Sequence, residues 1–272
     1  MIRRISFLLF LVMAVKGYSW NALGHRLVAQ IAYNHLTPKA KKVCNHYNHA
    51  LDSMYRSQSF VNAAAWLDGL RYQNDLWLGP KHYIDIPFSW DGTELVQPDD
   101  INAVSAIIDA SKILQENLAN DFTKGFTLRI LLHVVGDIHQ PLHAANQFSI
   151  EHPQGDQGGN LFPLSSNSIA TNLHSYWDKG GGLLNNAEHY SAKQLRLKAH
   201  NIEKHWPCHL EDMNLDPETW ATESHQIAIT KVYHLKPGQK PSQKYQKMTE
   251  IITEQRIALA GCRLAALLNK LV

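Results

Sequence analysis

The amino-acid sequence predicts an all-α protein, built as one helical domain with a small hairpin or irregular loops. Three observations favour this fold class. Apolar residues recur at helical spacing in most segments of the chain. The pair Thr37-Pro38 is typical of a helix start, with Thr as cap and Pro in the first turn. Of the 272 residues, the 253 that follow the first 19 contain no Ser/Gly-rich linker or repeat, so one large domain is the simplest organisation.

The helices are predicted in chain order from this apolar spacing. Residues 22–36 form the first, and a second restarts at Thr37-Pro38. Residues 123–140 are the most apolar, so we expect a buried central helix that Pro141 ends. The other segments with helical spacing are residues 60–70, 99–118, 191–205, 217–233 and 242–271. Segments 81–91 and 154–165 look irregular, with room for a short hairpin, and we expect them to contribute to a binding site.

The first 19 residues predict an export signal. Arg3 and Arg4 precede an apolar run over residues 5–15, and Gly17 and Ser19 are small residues placed before a cut at Trp20. The run is shorter than the about 20 residues that an anchoring helix needs. We therefore expect a signal peptide over 1–19 and a catalytic domain over 20–272. The protein would be secreted or periplasmic, with no membrane anchor after cleavage.

The charge balance argues against a protein that grips nucleic acid by bulk positive charge. The chain has 26 Lys+Arg and 24 Asp+Glu, a net charge of +2. Residues 1–19 hold three of the basic side chains and no acid, so the remaining chain carries +2 − 3 = −1. Any attraction for phosphate must therefore be local.

The three cysteines leave the disulfide pattern open. Cys44, Cys208 and Cys262 are an odd number, so an exported chain can form a disulfide bond and still leaves one thiol unpaired or paired between chains. No Cys-x2-Cys motif is present, which argues against a zinc site built from thiolates.

The strongest chemical signal is a pair of ionisable residues in the most apolar predicted helix. His133 and Asp137 are four residues apart and share one helical face. His174 and Asp178 repeat this spacing among apolar and aromatic neighbours. His139 points about 120° away from His133 on the helix, so we expect it to support the structure rather than to bind an ion. Imidazole and carboxylate ligands without Cys favour a catalytic zinc ion.

Five further residues are candidates to complete such a site. Asp68 ends a helix of small residues and His82 lies in a loop, and each alone is more often a surface residue than a ligand. His143 follows a proline that can turn the chain back toward the ion. At the predicted cleavage point, the free α-amino group of Trp20 would have a pKa of about 8 and could bind a metal together with its carbonyl group. His25 follows about one helical turn later.

These pieces together resemble the S1/P1 nuclease family of zinc-dependent endonucleases, which is related to zinc phospholipase C. They occur in the family's order over residues 20–178, and we match no motif in the C-terminal third. The matching pieces are W-N-A-L-G-H, A-A-A-W-L-D-G-L-R, K-H-Y-I-D, L-L-H-V-V-G-D-I-H-Q-P-L-H, G-G-N-L and N-L-H-S-Y-W-D.

The resemblance implies an all-α fold with three zinc ions, two of them bridged by Asp137. The implied ligands are Asp68, His82, His133 and Asp137 for one ion, Trp20, His25 and Asp137 for a second, and His143, His174 and Asp178 for the third. Each ion would then have three or four protein ligands, which suits catalytic zinc.

The resemblance also implies a reaction. RNA and single-stranded DNA would be hydrolysed to 5′-phosphate products, and 3′-mononucleotides would be dephosphorylated. The implied catalytic residues are Asp68, Arg71 and Asp137, with Arg71 steadying charge on the phosphoryl oxygens. Asp85 and Asn160 would contact the base or orient the nucleophile, and Tyr83 is a candidate for stacking on a base. We expect a monomer without a stable protein partner.

Two other functions are alternatives. A zinc phospholipase C would share the N-terminal Trp and the His-x3-Asp pair, but such enzymes usually place the first His further from the Trp and end the last pair with Glu rather than with Asp178. A non-catalytic exported zinc binder would concentrate histidine in a flexible tract. The 16 histidines of this chain are instead dispersed along the sequence, many of them in predicted helices.

Overall fold

The computed structural model describes residues 20–71, 76–185 and 190–272, so the predicted signal peptide at residues 1–19 lies outside the described residues. Helices dominate the described part, which confirms the all-α class. The α-helices are α1 (Ala22–His35), α2 (Pro38–His49), α3 (Phe60–Ala63), α4 (Trp66–Arg71), α5 (Ala103–Gln115), α6 (Asp121–Asp137), α7 (Leu173–Asp178), α8 (Ala192–His205), α9 (Pro217–Lys231) and α10 (Gln243–Leu271). The strands are β1 (Pro87–Ser89) and β2 (Asn146–Phe148).

Side-chain caps set most of the helix boundaries. Thr37 accepts a hydrogen bond from the backbone of the first turn of α2, as its sequence predicted. Ser191 and Gln194 form a reciprocal capping box at the start of α8. The central helix α6 ends at Asp137, three residues earlier than predicted, and a 3₁₀ helix over Pro141–Ala144 follows it.

Three local predictions differ from the structure. Residues 60–70 form two short helices, α3 and α4, because the carbonyl of Ala64 accepts a hydrogen bond from His133. Helix α7 was not predicted, since six residues are too few to show helical periodicity. The strands β1 and β2 pair in parallel between distant segments, so they do not form the short hairpin allowed within residues 81–91 or 154–165.

The 29-residue helix α10 and the buried helix α6 organise the packing. Helix α10 packs mainly along α1, and α6 is covered by α2 and α5. One large apolar cluster surrounds these helices, and a smaller one gathers around Trp177 and Tyr233. His133 and Asp137 lie on α6 beside the large cluster, whereas His174 lies on α7 beside the smaller one. The candidate site therefore joins two parts of the core.

A disulfide bond resolves the cysteine pattern. Cys208, in the segment after α8, is bonded to Cys262 of α10, while Cys44 keeps a buried free thiol. Within the described residues, no helix is both long enough and apolar enough to cross a membrane.

Candidate metal centre

Asp137, the last residue of α6, lies at the centre of a buried polar cluster. Its Oδ1 is 3.3 Å from Nε2 of His25 on α1. Its Oδ2 is 3.0 Å from Nδ1 of His82 and 3.3 Å from Nε2 of His133. All four side chains are buried. The two carboxylate oxygens of Asp137 thus face different histidines.

Atoms that can bind a metal come together in three groups, and within each group they lie within 4.8 Å of one another. The groups are His25, His133 and Asp137; Asp68, His82 and His133; and His143, His174 and Asp178. The structure therefore brings together all eight side chains that were predicted as ligands.

Backbone carbonyl groups orient three of the imidazoles. A carbonyl oxygen only accepts hydrogen bonds, so each of these rings must carry its proton on Nδ1 and direct the Nε2 lone pair elsewhere. The three contacts are His133 to Ala64 at 2.7 Å, His143 to His82 at 2.6 Å and His174 to Gly158 at 2.7 Å. This arrangement is typical of metal-binding histidines.

Two glycines allow the chain to approach these rings closely. A Cβ atom on Gly136 would lie 2.8 Å from Nδ1 of His25, so only glycine fits where α6 meets that ring. Gly158 has a φ of +61°, which favours glycine, and a Cβ there would lie 2.5 Å from the carbonyl oxygen of Leu142. Both glycines fall within the motifs that the sequence analysis singled out.

Burial controls the protonation of the cluster. It lowers the pKa of His133 to about 3 and also lowers the pKa of His143, so both imidazoles are neutral and able to bind a metal. Burial alone would raise the pKa of Asp137, but the surrounding histidines hold it well below its ordinary value. Burial raises the pKa of Asp178 well above its ordinary value, only partly offset by the hydrogen bond from Gln140.

The donor atoms fit zinc. Nε2 of His82, Nε2 of His143 and Oδ2 of Asp178 are buried and make no hydrogen bond to any described residue. Leaving such atoms unsatisfied is costly, so the cluster favours a bound cation. Five imidazoles and three carboxylates without a thiolate form a set that suits catalytic zinc.

The Trp20–Asn21 pair connects α1 to the end of α7. Trp20 is fully buried, and the side chain of Asn21 caps α1. The backbone N–H of Asn21 donates a hydrogen bond to the carbonyl of Asp178 at 3.2 Å. The backbone next to Trp20 therefore lies beside one of the three ligand groups.

A cavity of about 500 Å³ leads to the cluster. It is lined by side chains that include Asn21, Asp68 and Asp178. Asp68 is the most exposed of the candidate ligands, with 18% of its side chain accessible to solvent. Solvent can therefore reach the cluster past Asp68.

Asp85 and Tyr83 follow His82 in the loop before β1. Burial raises the pKa of Asp85 to about 7, and the negative charges of Asp156 and Asp99 add to the effect. The backbone of Asp85 has a φ of 33°, unusual for a residue other than glycine. Tyr83 is 37% exposed, so its ring is accessible to a ligand.

Asn160 presents a buried polar atom without a hydrogen-bond partner among the described residues. Its side-chain nitrogen donates to the carbonyl of Gln157 at 2.9 Å, while its buried Oδ1 accepts no hydrogen bond from the described residues. Arg71 is the last residue of α4, and its side chain lies outside the described part of the structure.

Three supporting residues are not among the candidates that the sequence offers. Gln140 donates to Oδ1 of Asp178 at 2.7 Å and so orients that carboxylate. The hydroxyl of Tyr233 donates to both oxygens of Asp156, which also accepts from the backbone of β2 and thereby holds the loop that carries Asn160. Gln140 lies within a quoted motif, but Asp156 and Tyr233 are 77 residues apart and give no local signal.

The expectation for His139 is confirmed. Its Nδ1 hydrogen-bonds the carbonyl of Val135 at 2.7 Å, and its Nε2 accepts a hydrogen bond from Arg263 of α10 at 3.0 Å. Its ring also packs against Trp220, with 5.3 Å between ring centroids. His139 therefore supports the helix packing and takes no part in the metal-binding groups.

An all-α fold around a buried cluster of five histidines and three aspartates defines a candidate metalloenzyme with several metal ions. The chain belongs to the S1/P1 nuclease family, whose model matches residues 20–272. This match includes the C-terminal third, in which the sequence analysis found no motif.

Named relatives extend over nearly the whole chain. Nuclease S1 of Aspergillus oryzae is 26% identical, with 95% of this chain and 94% of that protein aligned. Endonuclease 1 of Arabidopsis thaliana is 29% identical, with 93% and 87% aligned. Nuclease P1 of Penicillium citrinum is 25% identical, with 93% and 97% aligned.

Proposed function

We propose that the protein is a zinc-dependent endonuclease that hydrolyses the phosphodiester bonds of RNA and single-stranded DNA to 5′-phosphate products, and that it also dephosphorylates 3′-mononucleotides. The observation that carries this proposal is the position of Asp137, whose two oxygens face different histidines within a cluster of three ligand groups. The names of the relatives, nuclease S1, nuclease P1 and endonuclease 1, support nucleic acid as the substrate.

Asp137 is the side chain best suited to be shared between two ions. His133 belongs to two of the ligand groups, but an imidazole Nε2 has one lone pair and binds one ion, whereas a carboxylate can bind two. Asp68, His82, His133 and Asp137 would hold one zinc ion, Trp20, His25 and Asp137 a second, and His143, His174 and Asp178 a third. Bound zinc would supply positive charge for the phosphate oxygens and would lower the pKa of water to about 7.

The residues around the cavity have distinct tasks in this proposal. Asp68 lies where solvent enters, so its carboxylate can orient the attacking water and accept its proton. Arg71 follows Asp68 by three residues in the same helix and would place positive charge against the phosphoryl oxygens. Both tasks need the phosphate to lie at the mouth of the cavity.

Binding of the base would fall to the polar loop residues. The unsatisfied Oδ1 of Asn160 can accept a hydrogen bond from a base edge, and the carboxyl of Asp85 can donate or accept one according to pH. Tyr83 offers an exposed ring for stacking. A buried cluster needs a splayed base and an accessible phosphate, which a stacked duplex does not offer, so we expect single strands to be preferred.

We infer further that the protein is exported and cleaved before Trp20, and that cleavage completes the site. Support comes from the signal pattern of residues 1–19 and from the position of the Trp20–Asn21 backbone beside Asp178. A protein that retains one methionine before Trp20 should contain about one zinc ion fewer per chain, because its α-amino group is displaced. The same zinc content as in the cleaved protein would argue against ligation by the N-terminus.

A panel of substrates tests the proposed function. RNA, single-stranded DNA, duplex DNA, 3′-mononucleotides and phosphatidylcholine would be offered to the same zinc-loaded protein. We expect cleavage of RNA and single-stranded DNA well ahead of duplex, with 5′-phosphate ends. Hydrolysis of phosphatidylcholine without cleavage of RNA would assign the protein to the zinc phospholipases C. Bound zinc with no turnover of any substrate would indicate a zinc-binding protein.

The variant Arg71→Ala separates binding of metal from catalysis. It should lower turnover of RNA by about two to three orders of magnitude while the zinc content stays unchanged, because the lost guanidinium acts on the transition state. Turnover equal to that of the unaltered protein would remove Arg71 from the mechanism.

A further inference from the structure

A second groove lies away from the cavity described above, between α5 and α6. It has a volume of about 470 Å³ and is lined mostly by apolar side chains. Trp77, in the 3₁₀ helix before β1, forms part of its wall and is 59% exposed. An exposed tryptophan in an apolar groove is a surface suited to an aromatic ligand.

The aromatic rings in this groove pack against one another. The ring planes of Trp77 and Phe126 are parallel within 7°, and their centroids are 6.2 Å apart. Phe126 in turn meets the buried Trp66 edge-on, with 5.4 Å between centroids and an angle of 89°. The two parallel rings therefore form a pre-oriented aromatic wall.

The groove and the metal centre are built on the same face of α6. Phe126, Ile130, His133 and Asp137 are spaced by four, three and four residues, so they follow one helical stripe. Phe126 and Ile130 line the groove, whereas His133 and Asp137 belong to the metal-binding groups. Seven residues of helix between Phe126 and His133 span about 10 Å, or roughly three stacked nucleotide steps of about 3.4 Å.

The charges at the groove suit a nucleic-acid strand. Lys81 lines it and is the chain neighbour of the candidate ligand His82, so the groove carries a positive charge on the segment that also supplies a candidate ligand. The acidic residue of the lining, Asp109, is paired with Lys112 at 3.8 Å. A phosphate in the groove would therefore have Lys81 as a cation to contact, whereas the negative charge of Asp109 is offset by Lys112.

We propose that this groove binds a base of the single-stranded substrate about three nucleotides from the scissile phosphate, with Trp77 as the stacking surface and Lys81 as a phosphate contact. This inference rests on the proposed nuclease function. It predicts that short substrates, which cannot reach from the cluster to Trp77, are cleaved less efficiently than longer ones.

The test compares oligothymidylates of two to eight nucleotides with the zinc-loaded enzyme. The value of kcat/KM should rise between about three and six nucleotides. In Trp77→Ala, the ratio of kcat/KM for the octamer to that for the dimer should fall about tenfold, because a base that stacks on an aromatic ring contributes about 1–3 kcal/mol. Trp77→Phe should recover most of the ratio. The matched control is Leu197→Ala, which alters a side chain of α8 that is 60% exposed and lies outside the groove.

A second variant keeps the test independent of the tryptophan. For the octamer, the logarithm of kcat/KM should fall as the logarithm of salt concentration rises. Lys81→Gln should reduce the slope of this line by about one unit. If Trp77→Ala leaves the ratio of kcat/KM for the octamer to that for the dinucleotide unchanged, while the unaltered enzyme cleaves normally, the groove proposal is overturned and the nuclease proposal stands. If the unaltered enzyme cleaves no oligonucleotide, the proposed nuclease function fails as well. If the unaltered protein is a dimer of two chains in solution, and Trp77→Ala makes it monomeric without changing the octamer-to-dinucleotide ratio of kcat/KM, the groove binds a second copy of the chain.

Discussion

His25 of α1 and Asp137 of α6 meet at the point where the two helices pack, with Nε2 of the imidazole 3.3 Å from Oδ1 of the carboxylate. The contact joins the segment that follows Trp20 to the end of the central helix. The other carboxylate oxygen of Asp137, Oδ2, faces His82 and His133. Asp137 therefore lies between two candidate ion positions, one on the side of His25 and one on the side of His82 and His133.

Asp137→Asn should lose metal and activity together. The amide is neutral, and its nitrogen cannot take the place of a carboxylate oxygen, so the two ions that share this side chain would be held weakly. We expect at most about one zinc ion per chain and a loss of RNA cleavage by about three orders of magnitude. Zinc would be measured by elemental analysis and cleavage by initial rates. Asp121→Asn, at the exposed start of the same helix, is the matched control. A fully zinc-loaded, active Asp137 variant would exclude the bridging role.

Gly136→Ala should displace His25. The new Cβ would lie 2.8 Å from Nδ1 of that ring, so the imidazole must move and the ion that it holds would be bound about 10- to 100-fold more weakly. Titration with a zinc chelator would detect the change. The matched control is Gly79→Ala, where an added Cβ meets no described atom within 4 Å. Equal chelator resistance in the two variants would contradict the close packing.

Asp85 should make the stability of the protein depend on pH. Its pKa is raised to about 7 in the folded chain, against about 3.9 when unfolded. Between these values the folded state keeps a proton that the unfolded state has lost, so the free energy of unfolding falls as pH rises through this window. Asp85→Asn should therefore raise Tm by several degrees at pH 8 and by less as pH approaches 4. Asparagine also tolerates the positive φ at this position.

Asp91 should show the opposite dependence of stability on pH and so serves as a control. Hydrogen bonds from the hydroxyl of Thr93 and the backbone of Ile150 hold the pKa of Asp91 well below its ordinary value. Its contribution is present above the unfolded pKa and is lost as pH falls. Asp91→Asn should lower Tm at neutral pH and have less effect in acid. Parallel pH profiles for the two variants would contradict the assignment.

The disulfide bond should stabilise the C-terminal helix against unfolding. Cys208 and Cys262 are 54 residues apart, and loss of a bond across such a loop costs about 2–5 kcal/mol. Cys208→Ser should therefore lower Tm by roughly 5–15 °C.

The pKa of Cys44 is raised to about 12 by burial, so the folded chain should resist alkylation at neutral pH. After unfolding without reductant, one cysteine should react. Labelling at Cys208 or Cys262 in that sample would contradict the pairing.

Much of the fold follows from local sequence patterns. The long helices show an apolar stripe and a polar cap, so their bounds agree with prediction to within a few residues, as at Thr37 and Ser191. The break after Ala63 could not be predicted, because it depends on a carbonyl that bonds His133 from another helix. The pairing of β1 with β2 depends on contact between segments far apart in the chain.

Some residues of the candidate site can likewise be found from local sequence patterns, and others depend on the tertiary fold. His133 with Asp137 and His174 with Asp178 are visible in the sequence as pairs four residues apart, and the structure places each pair within one helix. Asp68, His82 and His143 are unremarkable alone, and only the fold or the family resemblance brings them to the pairs. The support that Tyr233 gives to Asp156, and the position of Trp77 above Phe126, arise from tertiary packing alone.

Removal and return of zinc on the chain that begins at Trp20 tests the proposed zinc dependence most directly. Metal content and RNA cleavage would be measured in the same samples during stepwise addition of zinc to chelator-treated protein. We predict that the fully active enzyme holds three zinc ions per chain, that chelation abolishes cleavage, and that activity returns as the sites fill. Full cleavage by a protein free of zinc would contradict the proposed zinc-dependent nuclease, as would three bound zinc ions with no cleavage of RNA or single-stranded DNA.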